Sequence, residues 1–491
     1  ELIDLFRDQL KDESRDSEAF FAVGLGYQAK EDLETAYRAY VSGLARMTEE
    51  EQLFMKSVFL LANRKAIKED EALPSEEALR RFWTGRDPLH LTPVNERLME
   101  HCGRVAYANL RFGEPVKGIP GWATDKGEAY IRYGRPVSRR VTPAEIDTHL
   151  DKPIWYQNYL HEIARISTAP VRHKPRAEQW DYPGFSLIFL NTDTRDHWKF
   201  GLAWMDGYPL GYSSLVARIS DYYKDPYGWE RYDAPFQIAQ FRGSDGKSRV
   251  EVYYALPGEE VRHKSDATGV HSVDLKQGLF LFDTAWDTVR KEVGRLEKMP
   301  WVVYNAMREG YLFASERLMV EPGDYHFAAE VEDSETKTIG TFRYNLPVRR
   351  FGWDSLQVSS LLLARRVLER DDRPFGREAF MVLPNPIGRC ERFGQASFYF
   401  EIYNLARDEF GATHYQTEYQ VRALEEGAEN PDPDWTTTIS YSREGTRDWE
   451  PSYLTLDMDG SMPGYREFRV VVTDLQTGQV DTSATHFRVM W

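Results

Sequence analysis

The hydrophobic period of this chain changes partway along from helical to strand-like, and that switch limits its fold more than any other feature. Up to about residue 82, apolar residues recur at helical spacing, with few prolines and no alternation. From about Phe236 onward, short alternating runs dominate, including Arg249–Ala255, Tyr325–Val331, Ser397–Ile402, Thr417–Val421 and Arg466–Val472, with Gly, Pro and Asp turns between them. Helices first and strands afterwards imply a multidomain α+β chain whose β half is patterned like sandwiches. A chain of 491 residues can bury several cores, so it needs neither a metal nor a disulfide framework for stability.

The β half repeats itself. Val250–Leu256 (VEVYYAL) resembles Tyr399–Leu405 (YFEIYNL), 149 residues later. Pro322-Gly323 and Pro463-Gly464, 141 residues apart, each precede an aromatic-led strand ending at Asp333 or Asp474. A length difference in the intervening loops reconciles the two offsets, so we expect two tandem immunoglobulin-like sandwiches joined near Arg350. Tyr325 and Tyr465, which follow the Pro-Gly pairs, are expected to fold back as tyrosine corners, each hydroxyl capping a strand end.

In the helical part, Phe20, Val23, Gly24, Tyr27, Ala36, Tyr40 and Gly43 stand at the spacings of the large and small packing residues of a tetratricopeptide unit. One copy followed by a third helix near Glu49–Ile67 is fewer than the three or so that such repeats need, and an ordinary helical hairpin with an aromatic core fits equally well. Thr92 as N-cap and Pro93 at the first helical position announce another helix, striped by Val94, Leu98, Cys102, Val105 and Asn109 and ending near Leu110. After Gly118-Ile119-Pro120-Gly121 we expect a turn at Asp125-Lys126-Gly127, a strand over Glu128–Arg132, and a stop at Gly134 and Pro136. These changes divide the chain into a helical region (1–82), an α+β module (83–235) and two sandwiches (236–350 and 351–491).

Gly121-Trp122-Ala123-Thr124-Asp125-Lys126-Gly127, continued by Tyr130-Ile131-Arg132-Tyr133-Gly134 and Pro136, resembles the signature of the GWxTD-domain family. Trp83, Arg86-Asp87-Pro88, Asn95-Glu96-Arg97 and Val105–Asn109 resemble that family's helical lead-in, and Glu178, Trp180, Tyr182 and Phe185 its following strand. The Phe241-Arg242-Gly243, Asp245-Gly246 and Val252–Pro257 segments, with Tyr399–Leu405, are similar to its C-terminal β regions. Cys102 and Gly103 stand where the pattern has larger residues. The resemblance implies an exported bacterial envelope protein, periplasmic or at the cell surface, and no established activity. The chain begins at Glu1 rather than Met, so we expect a processed or incomplete polypeptide, with any export signal not visible in it.

Two readings of the motif follow from its residues. Gly121, Trp122, Thr124, Asp125 and Gly127 can build a rigid corner, with Trp122 as anchor, Thr124 and Asp125 accepting from backbone amides, and Gly127 at positive φ. Alternatively Trp122, Asp125, Tyr130 and Arg132 can form a surface for a protein partner or a glycan. A second aromatic cluster, Tyr222, Tyr223, Tyr227, Trp229 and Tyr232, surrounds Pro226 and Gly228 and fits either an exposed stacking surface or an interdomain seam.

Reaction chemistry is absent at motif level. His161-Glu162 lacks a second histidine four positions after the first, and His149, His161 and His173 are separated by Pro153 and Pro170, which precludes one helical face. No nucleophile elbow, phosphate loop or dinucleotide fingerprint occurs, and Asp457, Asp459 and Gly460 lack the remaining ligands of a calcium loop, so a hairpin turn is expected there. We therefore expect no cofactor and no metal. Two cysteines, Cys102 and Cys390, are too few for a thiolate metal site. The net charge of −16, spread along the chain, argues against nucleic acid and anionic membranes, and no apolar run is long enough to span a bilayer. What remains is a non-enzymatic scaffold or assembly subunit acting on other envelope proteins, with a carbohydrate-binding surface protein as the alternative and a hydrolase assembled only in space as the third.

Overall fold

The structure is a computed structural model that describes residues 17–56, 75–143, 176–191, 197–219, 221–223, 229–231, 233–267, 270–304, 309–369, 376–377, 380–424, 435 and 437–491. It is rich in β-sandwich-like sheets, and the seven helices among the described residues all lie in the N-terminal part. The chain divides into two compact units, Glu1–Gly228 and Trp229–Trp491.

The first unit opens with the hairpin α1 (Ser17–Gln28) and α2 (Leu33–Leu44), continued by α3 (Glu49–Lys56), α4 (Glu76–Arg86) and α5 (Glu96–Phe112). Phe21, Ala36, Tyr40 and Leu44 of the hairpin pack on Met99, Cys102 and Ala106 of α5. Gly24 and Gly43 make the fit: a methyl on Gly24 would lie 2.6 Å from the Tyr40 ring, and one on Gly43 2.8 Å from the Phe21 ring. Gly103, where a larger residue is expected from the family resemblance, leaves room for Gln28, whose side-chain oxygen accepts from the Tyr40 hydroxyl at 2.8 Å.

Two expected boundaries are corrected. The fifth helix begins at Glu96, capped by Asn95, whose Oδ1 accepts from Leu98 N at 2.8 Å. Thr92 instead donates to the Leu89 and Val94 carbonyls, closing the turn around Pro93. The expected strand at Glu128–Arg132 is part of α6 (Asp125–Tyr133), and the expected turn at Asp125-Lys126-Gly127 is its first turn. Alternation and helical spacing are indistinguishable over five residues, and Thr124 decides between them by capping, its hydroxyl accepting from Gly127 N at 3.0 Å. The helix then serves two cores, with Ala129 and Tyr133 in one and Ile131 in the other.

An antiparallel five-stranded meander follows, β1 (Ser138–Pro143), β2 (Arg176–Tyr182), β3 (Phe185–Asn191), β4 (Lys199–Met205) and β5 (Tyr208–Leu210), and α7 (Tyr212–Arg218) closes the unit. In β2 and β3 the alternation is strict: Trp180, Tyr182, Phe185, Leu187 and Phe189 pack in one core with Ala129 and Tyr133. Each such side chain removed from water contributes about 1.5–3 kcal/mol.

The second unit holds two sets of β-sandwich-like sheets. The first comprises β6 (Phe236–Arg242), β7 (Ser248–Pro257), β8 (Lys264–Ser265), β9 (Val270–Asp283), β10 (Thr288–Tyr304), β11 (Glu309–Val320), β12 (Gly323–Asp333) and β13 (Ile339–Val348). In the second are β14 (Gln357–Val358), β15 (Leu362–Glu369), β16 (Gly376–Arg377), β17 (Phe380–Pro384), β18 (Arg389–Glu391), β19 (Gln395–Tyr403), β20 (Thr413–Leu424), β21 (Thr437–Gly445), β22 (Trp449–Asp457), β23 (Gly464–Asp474) and β24 (Val480–Met490). Their strand orders correspond. In the first, β13-β12-β9-β10 continues through the β10–β11 pairing into β11-β7-β6 as one folded sheet, whereas the counterparts β24-β23-β20-β21 and β22-β19-β15 belong to two separate sheets.

The correspondence extends to single bonds. Asp333 Oδ1 accepts from the amides of Glu335 and Thr336, and Asp474 Oδ1 from those of Gln476 and Thr477. In both turns a threonine hydroxyl accepts from the amide two residues on, at 3.3 Å. The corner tyrosines differ: Tyr325 donates to Glu321 O at 3.0 Å, whereas Tyr465 makes no such bond among the described residues and lies beneath the Arg488 guanidinium at 4.9 Å. The expected hairpin at Asp457–Gly460 is corrected as well. The chain there passes from β22 in one sheet to β23 in the other, because β22 pairs with β19 and β23 with β20 and β24.

The two sets of sheets meet through Ala239, Phe241 and Tyr253 on one side and Leu362, Ala364 and Tyr399 on the other. A polar core lies in this seam. Arg249 reaches Glu401 at 2.7 Å and Glu251 at 3.1 Å, and Tyr399 and Tyr403 donate to Glu401 while Tyr253 donates to Glu251. Both carboxylates are almost fully buried, so their pairing with Arg249 offsets a desolvation cost of several kcal/mol per ion.

Candidate functional site

The motif residues come together where α5, α6 and the sheet of the first unit meet. Gly121 starts a 3-10 turn, Gly121–Ala123, pressed onto α5: a methyl there would lie 2.6 Å from Asn109 Cα and closer still to the Ala108 carbonyl. Gly127 is required by close approach and not by a positive φ, which corrects the expectation; its methyl would lie 2.7 Å from Gly121 C and closer to the oxygen. Trp122 is half-buried on Val105, Ala108 and Ile131, and its amide donates to Asn109 Oδ1 at 3.0 Å. Asp125 accepts from Phe200 N at 2.8 Å, tying the corner to β4.

The remaining members are internal supports. Tyr130 stacks on Tyr107 with centroids 4.4 Å apart, and burial pushes its hydroxyl well above the usual tyrosine range. Arg132 is buried, with Glu128 at 3.7 Å. Arg104 clamps the end of α6, donating to the carbonyls of Ile131, Arg132 and Tyr222 at 3.0–3.2 Å. Tyr222 packs at the margin of the sheet core and Tyr223 lies under the Arg97 guanidinium at 5.0 Å. Both are half-buried, as is Trp229 in the second unit; Tyr227 and Tyr232 lie outside the described residues, as do His149, His161 and His173.

Two concavities flank the Gly113–Thr124 segment. The smaller, about 160 Å³, is charged and includes Glu114, Lys126, Arg139, Glu178 and Trp198. Lys126 is buried, bonds Glu178 and lies 3.4 Å from the Trp198 ring centroid; Glu178 also accepts from Arg139 Nε at 2.9 Å and Trp180 Nε1 at 2.7 Å. Burial opposes ionisation of Glu178, but Lys126, Trp180 and Arg139 outweigh it and hold the carboxyl below its usual range. Glu114 behaves alike: burial is outweighed by Lys117 and His197. Acid and base are thus consumed in mutual pairs, an arrangement that fixes β1 and β2 against α6.

The larger concavity, about 750 Å³, is lined mostly by apolar side chains, with Ser17, Glu18, Glu51 and Asn109 also in its wall. Phe21 and Ala22 of α1, Met47, Met55 of α3, Ala106 and Leu110 of α5, and Ile119, Pro120 and Trp122 line it, with Glu18 and Glu51 at its edge. Leu110 is 47% exposed. Of the motif, only Gly121 and Trp122 reach this groove. Sequence reasoning misses Met47, Met55 and the pairing of Lys126 with Glu178, for which the signal is limited to Lys126 in the GWxTD-like signature and Glu178 and Trp180 in the strand that follows it.

Burial sets several other titratable groups. Burial pushes the thiols of Cys102 and Cys390 up to about 12 and pulls the His101 imidazole down to about 3. Glu96 is raised by burial and then by Asp87. Among the described residues no three potential ligands converge on a metal site, and no helix is long and apolar enough to cross a membrane.

No protein-family model matches this chain, and no curated protein matches it. Among solved structures it shows similarity to Escherichia coli alpha-2-macroglobulin activated by porcine elastase, at 9% identity and a TM-score of 0.17 over 65% of this chain and 25% of that one. Dimeric latent PorU from Porphyromonas gingivalis aligns at 10% identity and 0.21 over 66% and 24%. Bacteroides uniformis beta-glucuronidase 2 aligns at 7% and 0.15 over 48% and 26%. The chain spans about a quarter of each of these proteins, and scores this low carry no argument about function.

Proposed function

We propose that this chain is a non-enzymatic interaction protein of the bacterial envelope, periplasmic or at the cell surface, acting as a scaffold or subunit of a larger assembly. The observation that carries the reading is the 750 Å³ groove walled by the GWxTD-like segment, an apolar concavity beside a corner whose own charged groups are already paired. In this reading the α1–α2 hairpin is a tetratricopeptide-like packing unit, residues 83–235 form the GWxTD-like module, and the sandwiches are immunoglobulin-like spacers. The paired state of Lys126, Glu178, Glu114 and Arg132 supports a positioning role for the motif over a catalytic one. Tyr222, Tyr223 and Trp229, the described members of the expected aromatic platform, are each half-buried, which counts against stacking of a sugar on those three rings.

The test is native mass spectrometry of the protein isolated gently from its source. A complex of defined stoichiometry is the expected result, and a lone monomer under conditions that preserve other envelope assemblies overturns the proposal.

A further inference from the structure

Resting on that reading, we propose that the groove beside Trp122 accepts an amphipathic helix of a partner protein whose apolar stripe is flanked by Lys and Arg. Three observations select this occupant. The floor is helical and apolar, and its adaptable side chains, Met47 and Met55, suit an inserted row of aliphatic groups.

The irregular wall is poorly suited to extend a sheet. The amides of Glu114, Lys117, Gly118, Ile119, Trp122, Ala123 and Thr124 donate within the chain, and Pro115 and Pro120 have none to offer, so few donors are left in a row for a ladder. An extended peptide would therefore gain little of a ladder and leave much of its own backbone unpaired, whereas a helix arrives with its backbone bonds made. Among the described residues the charged side chains lining the groove are both acidic, Glu18 and Glu51, and Glu49 and Glu50 continue the same sign on the first turn of α3. A basic flank complements that edge and an acidic one is repelled.

The experiment measures binding of the full chain to a labelled model peptide of about eighteen residues with a Leu/Lys amphipathic pattern. Controls are a Leu/Glu peptide with the same apolar stripe and a scrambled Leu/Lys peptide. We expect saturable one-to-one binding of the Leu/Lys peptide, at least about tenfold tighter than either control. Glu51→Gln should weaken it about two- to threefold, since an exposed charge is removed while the amide oxygen that replaces the carboxylate still accepts from Thr48. Leu110→Glu should weaken it more than about tenfold. Glu409→Gln with Glu444→Gln, in the second unit, should leave it within about twofold, which separates the groove from bulk charge.

Equal binding of the Leu/Glu or scrambled peptide, or equal loss in the second-unit variant, overturns the inference. So does a photo-reactive side chain at Leu110 that crosslinks residues 1–16 or 57–74 of the same chain and is not displaced by peptide. If the peptide fails while native mass spectrometry still finds a complex, the assembly reading stands and only this occupant falls; a lone monomer sinks the assembly reading itself.

Discussion

Replacing Gly121 by alanine probes the corner at its tightest point. The added methyl would lie 2.6 Å from Asn109 Cα and closer to the Ala108 carbonyl, all of them backbone atoms of α5 that no rotamer change can move. Overpacking of this kind costs about 1–3 kcal/mol, and a backbone obstacle puts it at the upper end. Displacing the turn also breaks the Trp122 amide bond to Asn109, worth about another 1 kcal/mol. The sum, about 3–4 kcal/mol, lowers the melting temperature of a unit this size by roughly 6–16 °C. Gly118→Ala is the control: it has φ +66 and nothing within 4 Å of the new methyl, so it bears only the left-handed backbone cost of about 1–2 kcal/mol. Calorimetry that resolves the two units supplies the assay. A Gly121→Ala loss below about 1 kcal/mol, or one no larger than that of Gly118→Ala, refutes the close-approach argument.

Arg249→Met leaves Glu251 and Glu401 buried without their shared cation and should destabilise the second unit by about 3 kcal/mol or more in denaturant melts, with Arg249→Lys intermediate. Partial burial of Asp181 is outweighed by bonds from Ser138, Ser186, Gln179 and Arg140, which lower its pKa from 3.8 to about 2. A depressed carboxyl contributes stability that is fully present above its unfolded value and is lost as pH falls, so Asp181→Asn should flatten the acid limb between pH 4 and about 2. Both thiols are buried and raised to about 12, so an aromatic disulfide reagent should titrate neither in the native protein and both after denaturation.

Legibility in the sequence follows how local the deciding interaction is. The β half is readable because its short period-2 runs recur between turn residues and its duplicated turns carry the same Asp and Thr at matching positions, which the structure converts into matching hydrogen bonds at Asp333 and Asp474. Helix α6 reads as a strand because Ala129 and Ile131 fit either period over five residues, and only the Thr124 cap, a hydrogen bond to one hydroxyl, breaks the tie. Asn95 displaces Thr92 as a cap for a similar reason, since two cap-competent residues lie three positions apart. The purpose of Gly127 is hidden because its contact with Gly121 depends on how α6 leaves the turn, which no local pattern encodes. The groove is invisible for a stronger reason: Phe21, Met55, Leu110 and Trp122 converge only after four separate elements pack.

Whether the face beside Trp122 meets a partner protein can be read directly by placing a photo-reactive side chain at Leu110 of the protein in its source cell, irradiating, and identifying the crosslinked residues by mass spectrometry. We expect one defined partner, joined through a helical segment rich in Lys and Arg, with no crosslink from a matching probe at Tyr441 on the second unit. Equal labelling of many proteins from both positions, or crosslinks confined to this chain, would rule out a docking face at the groove.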